Sequence, residues 1–360
     1  MWCQKNRERN LAISPTDNVI GMKVVISGAA GGIGSRLARR LNDLPGISLT
    51  LIDDLSGGSA DNLGNSLRGS LFTAKVESLP ASLVERVVDS DVVIHLAGTS
   101  SLPRCQEDHQ AAYASNFQST VALAEHARLS GSQFIFASTS AVYEGVSSPL
   151  LSEDLPVAPF LVYPVSKYIS ELHLEGLYKA YGFPSTALRF FNVFGENQDQ
   201  SRKNPPLVNY IHRQLSNGEP VELFAPPNQS RDYVYVEDVL DAIQAAILHP
   251  AENFRVLNIC SGRPLSMQDI VAAVSEGAQI PEVPLVQSVP DKIWDGFPAL
   301  YEGPKPLSRE IVSAEVLKQS IGSFDKAFNE IGWSPRSDVI RKIAAYAQTL
   351  RGGHGHNEPI

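Results

Sequence analysis

The fold of this chain is decided by the stretch Val24-Val25-Ile26-Ser27-Gly28-Ala29-Ala30-Gly31-Gly32-Ile33-Gly34. Its first three residues predict a short buried strand, and the amphipathic run at residues 35–44 predicts a helix directly after the glycines. Glycines between a strand and a helix allow a tight turn. They also let the backbone approach a pyrophosphate at the helix N-terminus, where unpaired N–H groups favour negative charge. The order of these elements predicts a dinucleotide-binding loop, whose contacts we assign to Gly28, Gly31, Gly32, Ile33 and Gly34.

An acidic residue stands where such a loop needs a partner for the adenosine ribose. Asp53 ends the second predicted strand, at about the spacing expected of that acid. Its carboxylate can accept hydrogen bonds from both ribose hydroxyls, and its charge repels the extra phosphate of NADP. The residues therefore predict NAD as the cofactor. Asp54 is a second candidate contact, and the alternative is that it is a solvated loop acid.

Short apolar segments alternate with amphipathic segments along much of the chain. Strands are predicted at residues 24–26, 49–52, 71–73, 92–96 and 134–136. Helices are predicted at residues 35–44, 82–88, 111–129, 165–181 and 237–248. This alternation is typical of an α/β protein with a Rossmann-type, doubly wound parallel sheet.

The pattern of predicted elements changes after about residue 195, where proline-rich stretches separate shorter elements. We therefore predict an NAD-binding Rossmann domain at residues 22–195, which also holds the candidate catalytic residues. A smaller C-terminal α/β domain at residues 196–350 is mainly substrate-binding, with some segments returning to the first domain. Residues 1–21 are polar and are predicted to be a flexible extension, and residues 351–360 are predicted to be a disordered tail.

Charge and cysteine content argue against several classes of function. The 360 residues carry a formal net charge of −9, whereas general binding of nucleic acid or anionic membranes needs a basic surface. No stretch is long and apolar enough to cross a membrane, and residues 1–21 lack the apolar core of a signal peptide. The three cysteines have neither metal-ligand nor paired spacing. We therefore expect no metal site and a cytoplasmic location.

A second motif, Tyr163-Pro164-Val165-Ser166-Lys167, carries candidate catalytic groups. Residues four apart on a helix share one face, so the Lys167 ammonium can lie beside the Tyr163 phenol. A cation there, together with a positive nicotinamide ring, is expected to lower the pKa of the phenol and make it a general base. The motif is common on solvated helices, and the hydroxyl run Ser138-Thr139-Ser140 upstream strengthens the catalytic interpretation.

Several further motifs follow in a characteristic order. Beside the GxxGxxG glycine spacing they are Leu51-Ile52-Asp53-Asp54-Leu55-Ser56, His95-Leu96-Ala97-Gly98, Ser101-Leu102-Pro103-Arg104-Cys105, Ser138-Thr139-Ser140-Ala141-Val142-Tyr143, Leu188-Arg189-Phe190-Phe191-Asn192-Val193-Phe194-Gly195, Arg231-Asp232-Tyr233-Val234-Tyr235-Val236-Glu237-Asp238, and Asp325-Lys326-Ala327 with Ile331-Gly332-Trp333-Ser334-Pro335. With these motifs the chain resembles the NAD-dependent epimerase/dehydratase family, the extended short-chain dehydrogenases, from about residue 22 to 335.

The resemblance implies a role for each matching residue. Thr139 would hold the reacting sugar hydroxyl, Tyr163 would take its proton, and Lys167 would bind the nicotinamide ribose and tune Tyr163. Further implied cofactor contacts are Leu96, Ala97, Gly98, Asn116 and Phe190. Implied substrate contacts, besides Thr139 and Tyr163, are Ser101, Ser140, Asn192, Val221, Phe224 and Arg231. Asn116 has a helix-packing amide as its alternative, Val221 has core packing, and His95 is expected to be structural.

Three segments depart from the family pattern. The acid expected after the third strand for the adenine is replaced by Ala74-Lys75-Val76-Glu77, and the Gly-Asp-Gly before Arg231 by Ala225-Pro226-Pro227-Asn228. The arginine-containing turn before the closing helix is not recognisable in residues 309–320. The catalytic set is intact, whereas the nucleotide and distal sugar contacts differ.

The resemblance implies a homodimeric nucleotide-sugar epimerase that inverts C4 of a UDP-hexose or UDP-N-acetylhexosamine through a 4-keto intermediate. Dehydratases of the family carry an Asp-Glu pair just after the catalytic Thr, where this chain has Ser140 and Ala141. Decarboxylation of UDP-glucuronate, sugar-nucleotide dehydration and NAD-dependent oxidation or reduction of a non-sugar alcohol remain as alternative reactions. A non-catalytic NAD-binding scaffold is the remaining class, and the intact Thr139, Tyr163 and Lys167 count against it.

Overall fold

The structure is a computed structural model that describes residues 21–199, 202–281 and 283–351. Apart from Gly21 and Arg351, the predicted extension at residues 1–21 and the predicted tail at 351–360 lie outside the described residues.

The strands of the described residues are, in chain order, β1 (Lys23–Ser27), β2 (Ser48–Asp53), β3 (Leu71–Thr73), β4 (Val92–His95), β5 (Gln133–Thr139), β6 (Ser185–Phe190), β7 (Val193–Phe194), β8 (Val221–Leu223), β9 (Ser230–Asp232), β10 (Val234–Tyr235), β11 (Phe254–Ile259), β12 (Pro264–Ser266) and β13 (Leu285–Gln287). The helices are α1 (Gly32–Asn42), α2 (Ala81–Val88), α3 (Leu102–Glu107), α4 (His109–Tyr113), α5 (Ser119–Ser130), α6 (Val162–Tyr181), α7 (Leu207–Asn217), α8 (Val236–Leu248), α9 (Met267–Ala278), α10 (Arg309–Leu317), α11 (Asp325–Ile331) and α12 (Val339–Arg351).

Seven parallel strands form the central sheet, in the order β11-β6-β5-β4-β1-β2-β3. Side chains of β1 alternate between the two faces. Val24 and Ile26 pack into one apolar cluster with α1 and α8, and Val25 packs into another with α5 and α6. Both faces are covered because parallel crossovers place helices on each side of the sheet. This arrangement confirms the predicted doubly wound, Rossmann-type fold.

Two strands of the sheet, β6 and β11, are absent from the sequence-based prediction. Both carry polar residues that interrupt an apolar run, such as Arg189 in β6 and Asn258 in β11, and both of these side chains are buried. Buried polar residues are tolerated where partners satisfy them, so an apolar-run criterion does not find such strands. Strand β11 pairs with β6, so part of the C-terminal half of the chain completes the N-terminal sheet.

The helix predicted at residues 111–129 is interrupted in its middle. A π-helical turn, Ala114–Gln118, separates α4 from α5. Within this turn, the backbone carbonyl of Asn116 accepts hydrogen bonds from the Thr120 hydroxyl at 2.9 Å and from the Ser170 hydroxyl on α6 at 3.1 Å. Such π turns are frequent at functional sites.

A further apolar cluster, separate from the two on the faces of the central sheet, is formed mainly by α7, α9 and α12 with short strands. Val221 in β8 is fully buried in it. Within the described residues, no helix is long and apolar enough to span a membrane. The boundary at residue 195 stays a prediction.

A buried ion pair joins the sheet to α6. The Arg189 guanidinium donates to both carboxylate oxygens of Glu171, at 3.0 and 2.7 Å, and to the Tyr143 hydroxyl at 2.7 Å. Ser138 also donates to Glu171, and Tyr143 donates to the Asn258 side chain at 2.9 Å. The pair is almost inaccessible to water, so each charge depends on the other for its solvation.

We predict that Arg189→Met destabilises the protein by about 3–5 kcal/mol, because it leaves the Glu171 carboxylate buried without its cation. Chemical denaturation followed by circular dichroism measures the change. The matched control is Lys179→Met, which removes the cation of an exposed ion pair with Glu175 on the same helix and is expected to change stability little. Equal effects of the two substitutions would contradict the prediction.

Candidate active site

The predicted site residues gather at one edge of the central sheet. The glycine loop follows β1, Asp53 ends β2, residues 96–98 follow β4, and Thr139 ends β5. Parallel strands point their carboxyl ends to the same edge, and ligands of open α/β sheets bind there. The fold thus brings together groups that lie more than 100 residues apart in sequence.

The glycine loop makes close contacts that leave no room for a side chain at Gly28 or Gly34. Gly28 has a φ of +73°, and a Cβ there would lie 2.6 Å from the backbone nitrogen of Ala97. A Cβ on Gly34 would lie 2.1 Å from the backbone oxygen of Gly28. Gly31 is the N-cap residue of α1 and makes no side-chain capping hydrogen bond, so the first backbone N–H groups of the helix have no side-chain cap. This is the geometry that a pyrophosphate-binding turn requires.

Asp53 joins the loop to the end of β2. Its two carboxylate oxygens accept hydrogen bonds from the backbone N–H groups of Ala30 at 2.9 Å and Leu55 at 2.8 Å. Burial raises the pKa of the Asp53 carboxyl from its ordinary value. Asp54 is exposed, and its carboxylate accepts from the backbone and side chain of Ser56. This geometry favours Asp53 as the ribose contact and a solvated loop role for Asp54.

The turn after β4, which carries Leu96, Ala97 and Gly98, is held by Asn116. Its side chain accepts from the backbone N–H of Thr99 at 2.7 Å and donates to the Thr99 carbonyl at 3.1 Å and to the Ser166 hydroxyl at 3.0 Å. A Cβ on Gly98 would lie 2.6 Å from the Asn116 side-chain oxygen. Asn116 therefore positions this turn against α6, which agrees with the packing alternative and also places its amide beside the site.

At the end of β5 the Thr139 hydroxyl lies close enough to the Tyr163 phenol to act on its pKa. Thr139 also accepts from the backbone N–H of Ala141 at 3.1 Å, which fixes its rotamer. Burial raises the pKa of Tyr163 to about 12, while the Thr139 hydrogen bond and the Arg202 cation act to lower it. The two predicted catalytic hydroxyls are thus near neighbours in the fold.

The surroundings of Lys167 bear on the expected pKa of Tyr163. Its ammonium donates to the backbone carbonyl of Ala137 at 2.9 Å and lies 4.8 Å from the centre of the Phe136 ring. Burial lowers the pKa of Lys167 to about 8. Burial of the phenol outweighs the Arg202 cation near it, and the expected lowering of the Tyr163 pKa, which includes the charge of a bound nicotinamide, stays a prediction.

These residues fit a dinucleotide. A cradle that admits no Cβ at Gly28 or Gly34, a helix N-terminus without a side-chain cap and a buried carboxylate at the end of β2 follow one another along the sheet edge. Lys167, on α6, binds the Ala137 carbonyl near the end of β5. In the described part of the chain, no three His, Cys, Asp or Glu side chains lie together as a metal site would need. His95 is buried between the hydroxyls of Ser27, Ser119 and Thr120, as a structural histidine.

The predicted substrate contacts fall into two groups. Ser101, Ser140 and Phe224 are partly accessible, and so is Asn192, which donates to the backbone carbonyl of Asp232 at 2.6 Å. Val221, in contrast, is fully buried, which favours its core-packing alternative. Phe190, a predicted cofactor contact, is buried in the apolar cluster that contains Val24 and Ile26.

Arg231 is engaged with the end of α10. Its guanidinium donates to the backbone carbonyls of Glu315 at 2.6 Å and Val316 at 3.1 Å, and it lies 3.8 Å from the Glu315 carboxylate. Lys318 forms an ion pair with the same carboxylate at 2.5 Å. The segment at residues 309–320, which departs from the family pattern, therefore places charged side chains around Arg231, a predicted substrate contact.

Sequence reasoning missed three residues of the site. Arg202 donates to the Ser100 hydroxyl at 3.3 Å and is close enough to Tyr163 to act on its pKa. The Gln106 side chain accepts from the backbone N–H of Val162 at the start of α6. Glu144 binds the backbone at the same helix start. Glu144 directly follows the quoted hydroxyl motif, so its position was a usable signal, whereas Arg202 lies in an irregular loop without one.

The chain is similar to known proteins along most of its length. The model of the NAD dependent epimerase/dehydratase family matches residues 24–260. A UDP-glucose 4-epimerase of Mycolicibacterium smegmatis is 31% identical over 335 residues, which cover 92% of this chain and 99% of that protein.

Solved structures show the same fold. The UDP-glucose 4-epimerase of Thermotoga maritima, determined with UDP-glucose, is 25% identical with a TM-score of 0.78, and covers 92% of this chain and 99% of its own. The UDP-glucose 4-epimerase of Thermus thermophilus, determined with NAD, is 26% identical with a TM-score of 0.74, and covers 92% of this chain and 100% of its own.

We predict that Asp53→Asn weakens NAD binding about tenfold and narrows the difference between NAD and NADP. The amide loses the charge-assisted hydrogen bonds to ribose and no longer repels the additional phosphate. Titration calorimetry with both cofactors measures the effect. Asp54→Asn is the matched control and is expected to leave both affinities unchanged. Tighter binding of NADP than NAD by the unmodified protein would refute the assignment of Asp53.

Proposed function

The chain belongs to the NAD-dependent epimerase/dehydratase family, and from that premise we propose that it is a nucleotide-sugar 4-epimerase acting on UDP-hexoses or UDP-N-acetylhexosamines. The observation that carries this proposal is that Thr139, Tyr163 and Lys167 gather at the end of β5, where Thr139 acts on the pKa of Tyr163 and Lys167 binds the Ala137 carbonyl. The family uses NAD, and the cradle described above fits it.

The protein groups have distinct tasks in the proposed reaction. Thr139 orients the C4 hydroxyl, and Tyr163 accepts its proton while the hydride leaves C4. The chemistry that bound NAD would supply is the reversible acceptance of that hydride. After the 4-ketone has turned over in the pocket, Tyr163 returns its proton to the ketone oxygen on the other face of the sugar. Lys167 holds the nicotinamide ribose and adds positive charge near the phenol.

Epimerisation is favoured over dehydration because elimination needs an acid and a base beside the neighbouring carbons. At the two positions after Thr139 the chain has Ser140 and Ala141, neither of which transfers protons readily at neutral pH. The backbone N–H of Ala141 is also engaged with Thr139.

A second candidate reaction is decarboxylation of a UDP-uronate, which also proceeds through a 4-ketone. Arg202 favours an anionic sugar, because it places a cation near Tyr163 and donates to Ser100, next to the predicted contact Ser101. Arginine suits a carboxylate because its donors can bind both oxygens. The two candidates differ in their products.

Incubation with UDP-glucose, UDP-N-acetylglucosamine and UDP-glucuronate, followed by NMR of the products, decides between them. We expect the C4 epimer of at least one UDP-sugar, without net change of NAD. Release of carbon dioxide with a pentose product would establish the decarboxylase instead. A 4-keto-6-deoxy sugar, or NADH that accumulates with a non-sugar alcohol, would refute the proposed function.

We predict that Tyr163→Phe lowers kcat about 100- to 10,000-fold and leaves NAD affinity nearly unchanged, because the hydroxyl is needed only for proton transfer. Thr139→Val is expected to be milder, since it removes one hydrogen bond and keeps the base. Tyr178→Phe, on the same helix away from the site, is the control and should retain full activity. Wild-type turnover by Tyr163→Phe would mean that another base operates.

The protein is further proposed to be a cytoplasmic homodimer, paired through α5 and α6 as the family resemblance implies. Leu129 on α5 is 64% exposed and Leu172 on α6 is 46% exposed, which is consistent with a buried role in such an interface. We expect light scattering to give a dimer, and Leu172→Glu to give a monomer. Leu317→Glu, on α10, is the control and should stay dimeric. A monomeric wild-type protein would contradict the proposal.

A further inference from the structure

One buried carboxylate connects the two catalytic segments. Glu144 ends the 3-10 turn Ser140–Tyr143, which begins directly after Thr139. Its Oε2 atom accepts hydrogen bonds from the backbone N–H groups of Phe160 at 2.8 Å and Leu161 at 2.9 Å. Leu161 is the N-cap of α6, two residues before Tyr163.

The start of α6 has little other support. The side chain of its N-cap residue makes no capping hydrogen bond, and its first turn contains no acidic residue. The next backbone N–H, of Val162, donates to the Gln106 side chain at 3.1 Å. Glu144 therefore supplies the negative charge that a helix N-terminus favours, from a segment that also carries Thr139.

The surroundings of Glu144 make its charge sensitive. It is buried, and its Oε1 atom has no hydrogen-bond partner. Burial raises the pKa of Glu144 to about 7, the two backbone N–H groups lower it, the Glu315 carboxylate raises it and the Lys318 ammonium lowers it. Lys318 is in turn repelled by Arg231 and paired with Glu315.

We propose that Glu144 is a positioning residue that sets the Tyr163 phenol against the Thr139 hydroxyl by anchoring the first turn of α6. The expected effect on kcat rests on the proposed function. The anchoring of α6 rests on the contacts at Phe160 and Leu161. Above a pH of about 7 the carboxylate is charged and accepts two charge-assisted hydrogen bonds. When the pH falls through that value, the carboxyl group takes a proton and holds the helix start less firmly.

The test is the pH dependence of kcat and KM for the wild-type protein and Glu144→Gln. The glutamine oxygen can still accept both N–H groups, so the variant is expected to fold. We expect its kcat at pH 8 to fall about three- to tenfold with KM unchanged, and the decline of wild-type kcat near pH 7 to disappear. Lys167, with a pKa of about 8, supplies a separate ionisation that the variant keeps.

Two further variants sharpen the result. Glu310→Gln removes an exposed carboxylate from α10, the helix that leads to Glu315, and should leave kcat and its pH profile unchanged. Lys318→Met removes the cation that lowers the pKa of Glu144, so the decline in kcat should move to higher pH. A Glu144→Gln enzyme with the wild-type kcat and the wild-type decline near pH 7 overturns the proposal.

Hydrogen exchange of the backbone amides separates this proposal from the proposed function. We expect protection of Phe160 and Leu161 to fall in Glu144→Gln, with the far end of α6 unaffected. If the wild-type protein converts no nucleotide sugar, the proposed function fails, and this exchange measurement still decides on Glu144. Unchanged protection at both amides would show that Glu144 does not anchor the helix.

Discussion

The ion pair between Glu171 and Arg189 is the interaction on which the geometry of the site depends. Two charges removed from water are costly unless each is fully paired, and here the guanidinium meets both carboxylate oxygens and the Tyr143 hydroxyl. Glu171 lies one helical turn beyond Lys167, and the Ser138 that donates to it is the neighbour of Thr139. The pair thus fixes α6 along the sheet, so that residues from β5 and from α6 meet at one point. Asn258 extends the network to β11, which ties the last strand of the sheet to the catalytic edge.

A second constraint joins the cofactor loop to this catalytic edge. The turns after β1 and β4 approach so closely that a side chain on Gly28 would collide with the backbone of Ala97. One residue later, a side chain on Gly98 would collide with Asn116 and come within 3.2 Å of the Lys167 ammonium. The absence of side chains at these two positions makes the dinucleotide cradle continuous with the Tyr–Lys pair. The residues proposed to bind the dinucleotide therefore lie next to Lys167, on the helix that carries the proposed base Tyr163.

The sequence predicts those parts of the protein that follow from local pattern. The strand–glycine–helix order, the alternation of elements and Asp53 at the end of β2 all depend on short spacings, and the fold agrees with them. The prediction misses β6 and β11 because Arg189 and Asn258 interrupt their apolar runs, and the partners that permit this are distant in sequence. It misses the π turn at residues 114–118 for the same reason, since the Ser170 hydroxyl that accompanies it lies on another helix. The position of the Lys167 ammonium was also not predictable, because helical spacing gives the face of a side chain but not the carbonyl that it selects.

Burial shifts the pKa values of Tyr163 and Lys167 in opposite directions. These shifts decide when the proposed base, Tyr163, can accept a proton. It raises the pKa of Tyr163 to about 12 and lowers that of Lys167 to about 8, because a site with little water disfavours both charges. At neutral pH the protein groups alone hold a neutral phenol beside a protonated amine. Removing the phenol proton then requires additional positive charge next to it, and an oxidised nicotinamide supplies that charge only when it is bound. The same burial that weakens the isolated phenol as a base makes any charge placed beside it more effective, because the local dielectric is low. In the mechanism that we propose, Tyr163 therefore becomes competent as a base only once the oxidised cofactor is bound.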